Sequence, residues 1–369
     1  MSDYLLISAD SHFVEPPSMW AERIDRKFRD RAPHTIKGLG GKEGEFFVCG
    51  NIDPMPVAAF FGAGVPSQEL PEHNKRTFEE APRSVFEPSY RLKDLDRDGV
   101  QAEVIYTSMG MPLFGLDDAE LRAACFSAFN DWAAEYCGYA PNRLIPLGLI
   151  TLEDVAAAVA ELARIAKKGV RGAMIWAEPA DDHPYNSSEY DAFWAAAQDL
   201  DMPLSLHILT NRSGGIASPT RNDIMLRLAN LHHGIERTLS VMVYGGVFEK
   251  FPRLKIVSAE NDVGWMAYFM YRLDTVQNRM GALGGMKLPM RASEYVKRQV
   301  YSTFIADPVF VSLLHRYPAE NIMWSSDYPH TAATFPRSRE IVDKRLGMLP
   351  SDQLRKIVRD TAAKVYRIQ

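Results

Sequence analysis

Residues 4–17 read Tyr4-Leu5-Leu6-Ile7-Ser8-Ala9-Asp10-Ser11-His12-Phe13-Val14-Glu15-Pro16-Pro17. Leu5 to Ala9 is an apolar run suited to a strand buried on both faces, and it stops abruptly at three polar residues. Residues two apart on a strand share a side, so the Asp10 carboxylate and the His12 imidazole are expected to face one centre.

Seven further runs of strand length follow: Ala102 to Tyr106, Leu144 to Ile150, Gly172 to Trp176, Leu204 to Leu206, Leu254 to Val257, Gln299 to Phe304 and Ile322 to Trp324. Between them, Asp117 to Tyr139, Leu152 to Lys168, Glu189 to Leu200, Asp223 to Glu236, Val263 to Arg279 and Val309 to Arg316 carry apolar residues at helical spacing. Alternating strand and helix implies a parallel sheet, and eight units favour a closed α/β (β/α)8 TIM barrel over an open doubly wound sheet. From Glu15 to about Ser89 the chain is instead rich in Pro and Gly, as at Gly38 to Gly44 and Gly62 to Pro66. We expect one domain over 1–369, in which about 16–89 is a loop-rich insertion that covers the C-terminal face of the barrel and holds short helices and a hairpin.

With 369 residues, 46% hydrophobic and 24% charged, the chain has the composition of an ordinary globular protein. A net charge of −5 with mixed signs offers no basic stripe for nucleic acid, and no stretch approaches the length of a membrane span. Cys49, Cys125 and Cys137 are odd in number and lack CxxC spacing, which suits reduced thiols in a cytoplasmic protein. Gly38-Leu39-Gly40-Gly41 lies in the insertion without the flanking strand and helix that a nucleotide-binding loop needs.

Catalytic groups of such barrels sit at the C-terminal ends of the strands. Here strand one ends in Asp10 and His12, strand five in His207, strand six in Glu260 and strand eight in Asp327. A single histidine after an apolar run is more often a core or loop residue than a ligand. Four such residues in one layer of a barrel would crowd carboxylates together, and a bound cation relieves that repulsion. Two imidazoles and two carboxylates without a thiolate suit one Zn, Mn or Fe(II) ion with an open position better than a closed structural zinc site.

Asp10-Ser11-His12 with Glu15-Pro16-Pro17, then Ser205-Leu206-His207, then Trp324-Ser325-Ser326-Asp327-Tyr328-Pro329-His330 resemble the amidohydrolase superfamily. They are most similar to the branch that includes aminocarboxymuconate semialdehyde decarboxylase and the resorcylate and carboxyvanillate decarboxylases. The resemblance runs from Leu5 to about Ala363 and is weakest in the insertion. It implies that Asp10, His12, His207 and Asp327 bind one divalent metal ion per chain, Zn or Mn, and that Asp327 is also the acid/base. Asp10 stands where many members have histidine, which favours decarboxylation and an ion such as manganese. Glu260 in Ser258-Ala259-Glu260-Asn261 stands where relatives often have histidine, either as a catalytic acid/base or substrate-orienting group or as a structural residue.

Around these, Glu15 either orients His12 or is a helix-start acid. Arg212 is a candidate clamp for a substrate carboxylate, set against an ordinary exposed loop arginine. Tyr328, His330, Trp324 and Trp176 are candidate substrate-facing residues, with barrel packing explaining the tryptophans equally well. His232-His233 is read as packing between helices. Three functions remain open: a non-oxidative decarboxylase of an aromatic or unsaturated carboxylic acid, a hydrolase of an amide, ester or lactone using the same residues, and a silent barrel that only binds. The expected partner is a small carboxylic acid or acyl substrate, and the expected assembly a homodimer.

Overall fold

The computed structural model describes residues 4–212, 229–284 and 288–369. In chain order its strands are β1 (Leu6–His12), β2 (His34–Leu39), β3 (Lys42–Val48), β4 (Met55–Pro56), β5 (Val100–Tyr106), β6 (Leu144–Pro146), β7 (Gly148–Leu149), β8 (Ala173–Ile175), β9 (Leu204–His207), β10 (Ile256–Ala259), β11 (Val300–Phe304) and β12 (Ile322–Trp324). One parallel ladder runs β1-β5-β6 and another β7-β8-β9-β10-β11-β12. β6 and β7 are separated by Leu147 alone, so they are successive parts of one extended segment that carries the order around eight positions. Past the end of β12, Asp327 N–H donates to the Asp10 carbonyl at 2.9 Å and His12 N–H to the Tyr328 carbonyl at 2.7 Å, bringing β12 back against β1. This is the (β/α)8 barrel expected from the alternation of strand and helix.

β1 is buried along its whole length, Ser8 and Ser11 included. Its pairing with β5 slips between Ser8 and Ser11, so a bulge beside Asp10 interrupts the simple alternation read from the sequence. Such bulges redirect side chains near active sites. Helices pack outside the barrel, and two of them start at capping aspartates: Asp118 accepts from Leu121 N–H ahead of Ala119–Cys137, and Asp154 from Ala157 N–H ahead of Val155–Lys167. After the latter, Gly169 at φ +90 follows Lys167 and Lys168 and ends the turn.

Two helical readings change. The segment Val309 to Arg316 forms only a 3-10 turn, Phe310–Leu313, because Pro308 and Pro318 leave too few residues between them for a stable helix. The predicted helix Asp223 to Glu236 begins outside the described residues; within them, a helix runs Leu231–Tyr244.

The insertion contains a small antiparallel sheet, β2-β3-β4, among short helical turns. Gly40 and Gly41, both at positive φ, make the two-residue turn joining β2 to β3. Beyond that sheet the insertion reaches the top of the barrel: Ala63 N–H donates to the Pro329 carbonyl at 2.9 Å, and the Phe60 ring lies 6.3 Å from that of His330. It covers the face on which the strand ends converge.

Candidate metal centre and active site

His12 and His207 are buried, and each has its Nδ1 fixed by a main-chain carbonyl. His12 Nδ1 donates to Thr107 at 2.8 Å and His207 Nδ1 to Ile208 at 3.1 Å. A carbonyl only accepts, so Nδ1 carries a proton in each ring, and in the neutral form Nε2 presents a lone pair. Both Nε2 atoms face carboxylates and share Asp10: His12 Nε2 lies 3.3 Å from Asp10 Oδ1 and 3.5 Å from Asp327 Oδ1, and His207 Nε2 lies 3.6 Å from Asp10 Oδ1 and 3.4 Å from Glu260 Oε2. The second Asp10 oxygen accepts from Thr303 Oγ1 at 3.2 Å.

Asp10 Oδ1, His12 Nε2, His207 Nε2 and both Asp327 oxygens are buried with no hydrogen-bond partner. Buried polar atoms are ordinarily paired, and two lone-pair nitrogens among carboxylates have no proton to share. A divalent cation relieves orphaned lone pairs and carboxylate oxygens of this kind, so the chemistry of the donor set fits such an ion. Donor atoms of Asp10, His12 and His207 lie within 4.8 Å of one another, as do those of His12, Glu260, Asp327 and His330, with His12 common to the two groups. Glu260 and His330 are therefore close enough to join the ligands.

The charges are arranged unevenly. Burial works against the Asp10 carboxylate, but His207 and His12 outweigh it and hold its pKa below the usual range. Burial, helped by Asp10, pushes Asp327 up to about 7 against the pull of His12 and His207. Glu260 is raised well above an ordinary glutamate by burial and by the charges of Asp327 and Asp10. Two of these acids also hold costly backbone: Glu260 (φ 57) and Asp327 (φ 56) occupy the left-handed region that non-glycine residues avoid. Glu260 is held there by its N–H bond to Thr303 Oγ1, 2.8 Å, and Asp327 by its bond to Asp10.

His330 stacks on His12 with ring centroids 4.0 Å apart. Ser108 Oγ donates to the Phe13 carbonyl and so accepts from His330 Nε2, 2.8 Å away, leaving His330 Nδ1 unprotonated 3.0 Å from Asp327 Oδ1. Burial and His207 lower His330 to about 3, so the ring is neutral.

Other sequence candidates lie elsewhere. Tyr328 turns its hydroxyl to Asp94 Oδ2 (2.6 Å) and Ser84 Oγ (2.8 Å), away from the cluster. Trp176 is buried in the wall, its Nε1 donating to the Phe114 carbonyl, and Trp324 is likewise buried. Arg212 faces the carboxylates of Glu153 and Asp117 at 3.7 and 3.9 Å. His232 packs near Trp265. Glu15 does not touch His12; it accepts from Thr107 Oγ1 and Met109 N–H, and it is the Thr107 carbonyl that holds the imidazole. Thr107, Ser108 and Thr303 were missed, since lone hydroxyl residues on or after a strand carry no sequence signal.

A parallel barrel with imidazole and carboxylate donors gathered at its C-terminal end defines a class of metal-dependent barrel enzymes. The amidohydrolase family profile matches residues 9–368, and the chain belongs to that family. The decarboxylase orsB of Emericella nidulans is 28% identical over 254 residues, spanning 65% of this chain and 73% of that protein. An amidohydrolase from Mycobacterium avium subsp. paratuberculosis K-10 superposes with a TM-score of 0.80 at 21% identity, covering 99% of this chain and 100% of the other. The 5-carboxyvanillate decarboxylase of Novosphingobium aromaticivorans, solved with manganese and 4-hydroxy-3-methoxy-5-nitrobenzoic acid, gives a TM-score of 0.70 at 18% identity over 99% and 96% of the two chains.

Proposed function

We propose that this chain is a metal-dependent, non-oxidative decarboxylase of an aromatic or unsaturated carboxylic acid. The observation that carries the reading is the set of five unpartnered buried atoms on Asp10, His12, His207 and Asp327, taken with relatives named as decarboxylases. Asp10, His12, His207 and Asp327 would hold a divalent ion, manganese or zinc, which would supply Lewis acidity toward the substrate. Asp327, ionised as a ligand in the resting site, would take up a proton as substrate binds and deliver it to the ring carbon that bears the carboxylate. The electron pair of the breaking carbon–carbon bond then returns to the ring, CO2 leaves, and the delivered hydrogen stays on carbon. Glu260 orients the substrate or exchanges protons beside it, while Asp10 and the two imidazoles fix the geometry. Residues 1–369 act as one domain, with the insertion of about 16–89 enclosing the substrate and excluding water. The working unit is a cytoplasmic homodimer, a state that light scattering checks.

The test is metal analysis of wild type beside His207→Ala, both purified without chelator, followed by CO2 release from a panel of hydroxybenzoates. About one manganese or zinc per chain, lost in the variant, with CO2 formed from at least one acid, is the expected result. Hydrolysis of amide, ester or lactone substrates without CO2 release would move the chain to a hydrolase.

A further inference from the structure

Arg91 is fully buried at the join between β12 and β1. Its Nε and Nη2 grip the Glu103 carboxylate of β5 at 2.6 and 2.9 Å. Nη1 donates to the main-chain carbonyl of His12 at 2.9 Å, and Nη2 reaches that of Tyr328 at 3.2 Å. The guanidinium also lies 4.5 Å from the Tyr328 ring centre, and that residue's hydroxyl is held by Asp94, one turn along Arg91's own helix, Pro88–Asp98.

The two carbonyls belong to His12 itself and to the residue that follows Asp327. They lie on opposite sides of the join, where ladder pairing gives way to the two main-chain bonds between β1 and the loop after β12. A planar guanidinium offers donors in a fixed fork, so it fixes the separation of the groups it binds; an ammonium is a single point and does not.

We infer that Arg91 is a positioning residue for the metal site: it sets the separation of the His12 and Asp327 ligands, whose donor atoms stand 3.5 Å apart. It touches neither substrate nor metal, acting through main-chain carbonyls, and Glu103 aligns the fork. This rests on the metal reading of the site. Outer partners of metal ligands commonly change affinity by about 10–100-fold when removed.

The experiment uses full-length, metal-free wild type, Arg91→Lys and the double variant Arg91→Met/Glu103→Leu. The double variant removes both buried charges, avoiding an orphaned Glu103. A fourth protein, Gly172→Ala, is the stability control: an alanine Cβ there would sit 2.9 Å from the Pro203 carbonyl and strain the barrel away from the site. Each is titrated with Mn(II) by electron paramagnetic resonance, and melting temperatures are recorded without metal. We expect both Arg91 variants to bind Mn(II) about 10–100-fold more weakly with an altered bound spectrum, and Gly172→Ala to bind as wild type despite a lower melting temperature. Wild-type affinity and spectrum in either Arg91 variant overturns the inference, as does equal weakening in the Gly172 control. Arg91→Lys decides alone if the double variant does not fold. Absence of Mn(II) binding by wild type would instead remove the metal reading on which the inference stands.

Discussion

His330 Nδ1 stands 3.0 Å from Asp327 Oδ1 as a lone pair facing a carboxyl group. Ser108 occupies the other ring nitrogen, so the approach is favourable only when Asp327 holds a proton, which burial promotes by raising its pKa to about 7. Replacing His330 with phenylalanine keeps a ring to stack on His12 and removes the proton acceptor. We expect kcat to fall by about 10²-fold or more, with Mn(II) affinity within a few fold of wild type. Steady-state kinetics paired with a metal titration checks this. Loss of metal along with activity would make His330 a ligand.

Metal binding should also be linked to pH. Without a cation, burial raises Asp327 to about 7, so near neutral pH it holds a proton that ligation displaces, and a bound cation reverses the local balance in favour of the ionised acid. Affinity for Mn(II) is therefore expected to fall as pH drops below 7, by roughly tenfold per pH unit for each proton displaced. Calorimetry in buffers of different ionisation enthalpy counts the protons. A binding constant flat from pH 5.5 to 8 would show that the acid is already ionised.

Glu15 supplies a stability test away from the ligands. Burial raises its pKa from an ordinary 4.5 to about 7, against the bonds from Thr107 and Met109. Between these values the folded chain binds more protons than the unfolded one, so this contribution is fully present below 4.5 and is lost as pH rises through 7. Glu15→Gln removes that dependence. At pH 7.5 the variant should exceed wild type in stability by on the order of 3 kcal/mol, with little difference at pH 4.5. Urea unfolding of metal-free protein at both pH values gives the comparison; an equal difference at the two would mean that Glu15 does not titrate with folding.

The barrel was readable because its strands are buried on both faces, and a run such as Leu204 to Leu206 needs no knowledge of its neighbours. Asp10, His12, His207, Glu260 and Asp327 stood out only as a set: one ionisable group after such a run is usually structural, but several at strand ends of one barrel layer would repel one another without a cation. What depends on a distant partner was not readable. An arginine on a helix looks solvated, and only the fold places Arg91 against Glu103, His12 and Tyr328. Tyr328 follows Asp327 directly, yet its own backbone turn carries its ring toward Asp94. Glu15 is close to His12 in sequence but acts on Thr107, 92 residues away.

Glu260 separates two roles that the structure leaves in one place. Its carboxylate oxygen lies 3.4 Å from His207 Nε2 and 4.0 Å from His12 Nε2, with the side chain 19% exposed, so it borders both the ligands and the space where substrate would enter. If it is a proton-transfer group, Glu260→Gln should lower kcat by about 10²- to 10⁴-fold with little change in KM, because glutamine keeps the shape and loses the exchangeable proton. If it orients substrate by donating the O–H hydrogen bond of a neutral carboxylic acid, glutamine keeps the size and loses that donor; KM then rises more than kcat falls. Burial, helped by the charges of Asp327 and Asp10, raises its pKa well above that of an ordinary glutamate, which favours the protonated acid that either role starts from. We expect the kcat effect to dominate, because the charges of Asp10 and Asp327 beside it would penalise a fixed anion but favour a group that takes and returns a proton during turnover. Equal kcat/KM for wild type and Glu260→Gln, with unchanged metal content, would leave Glu260 a structural residue of the strand end.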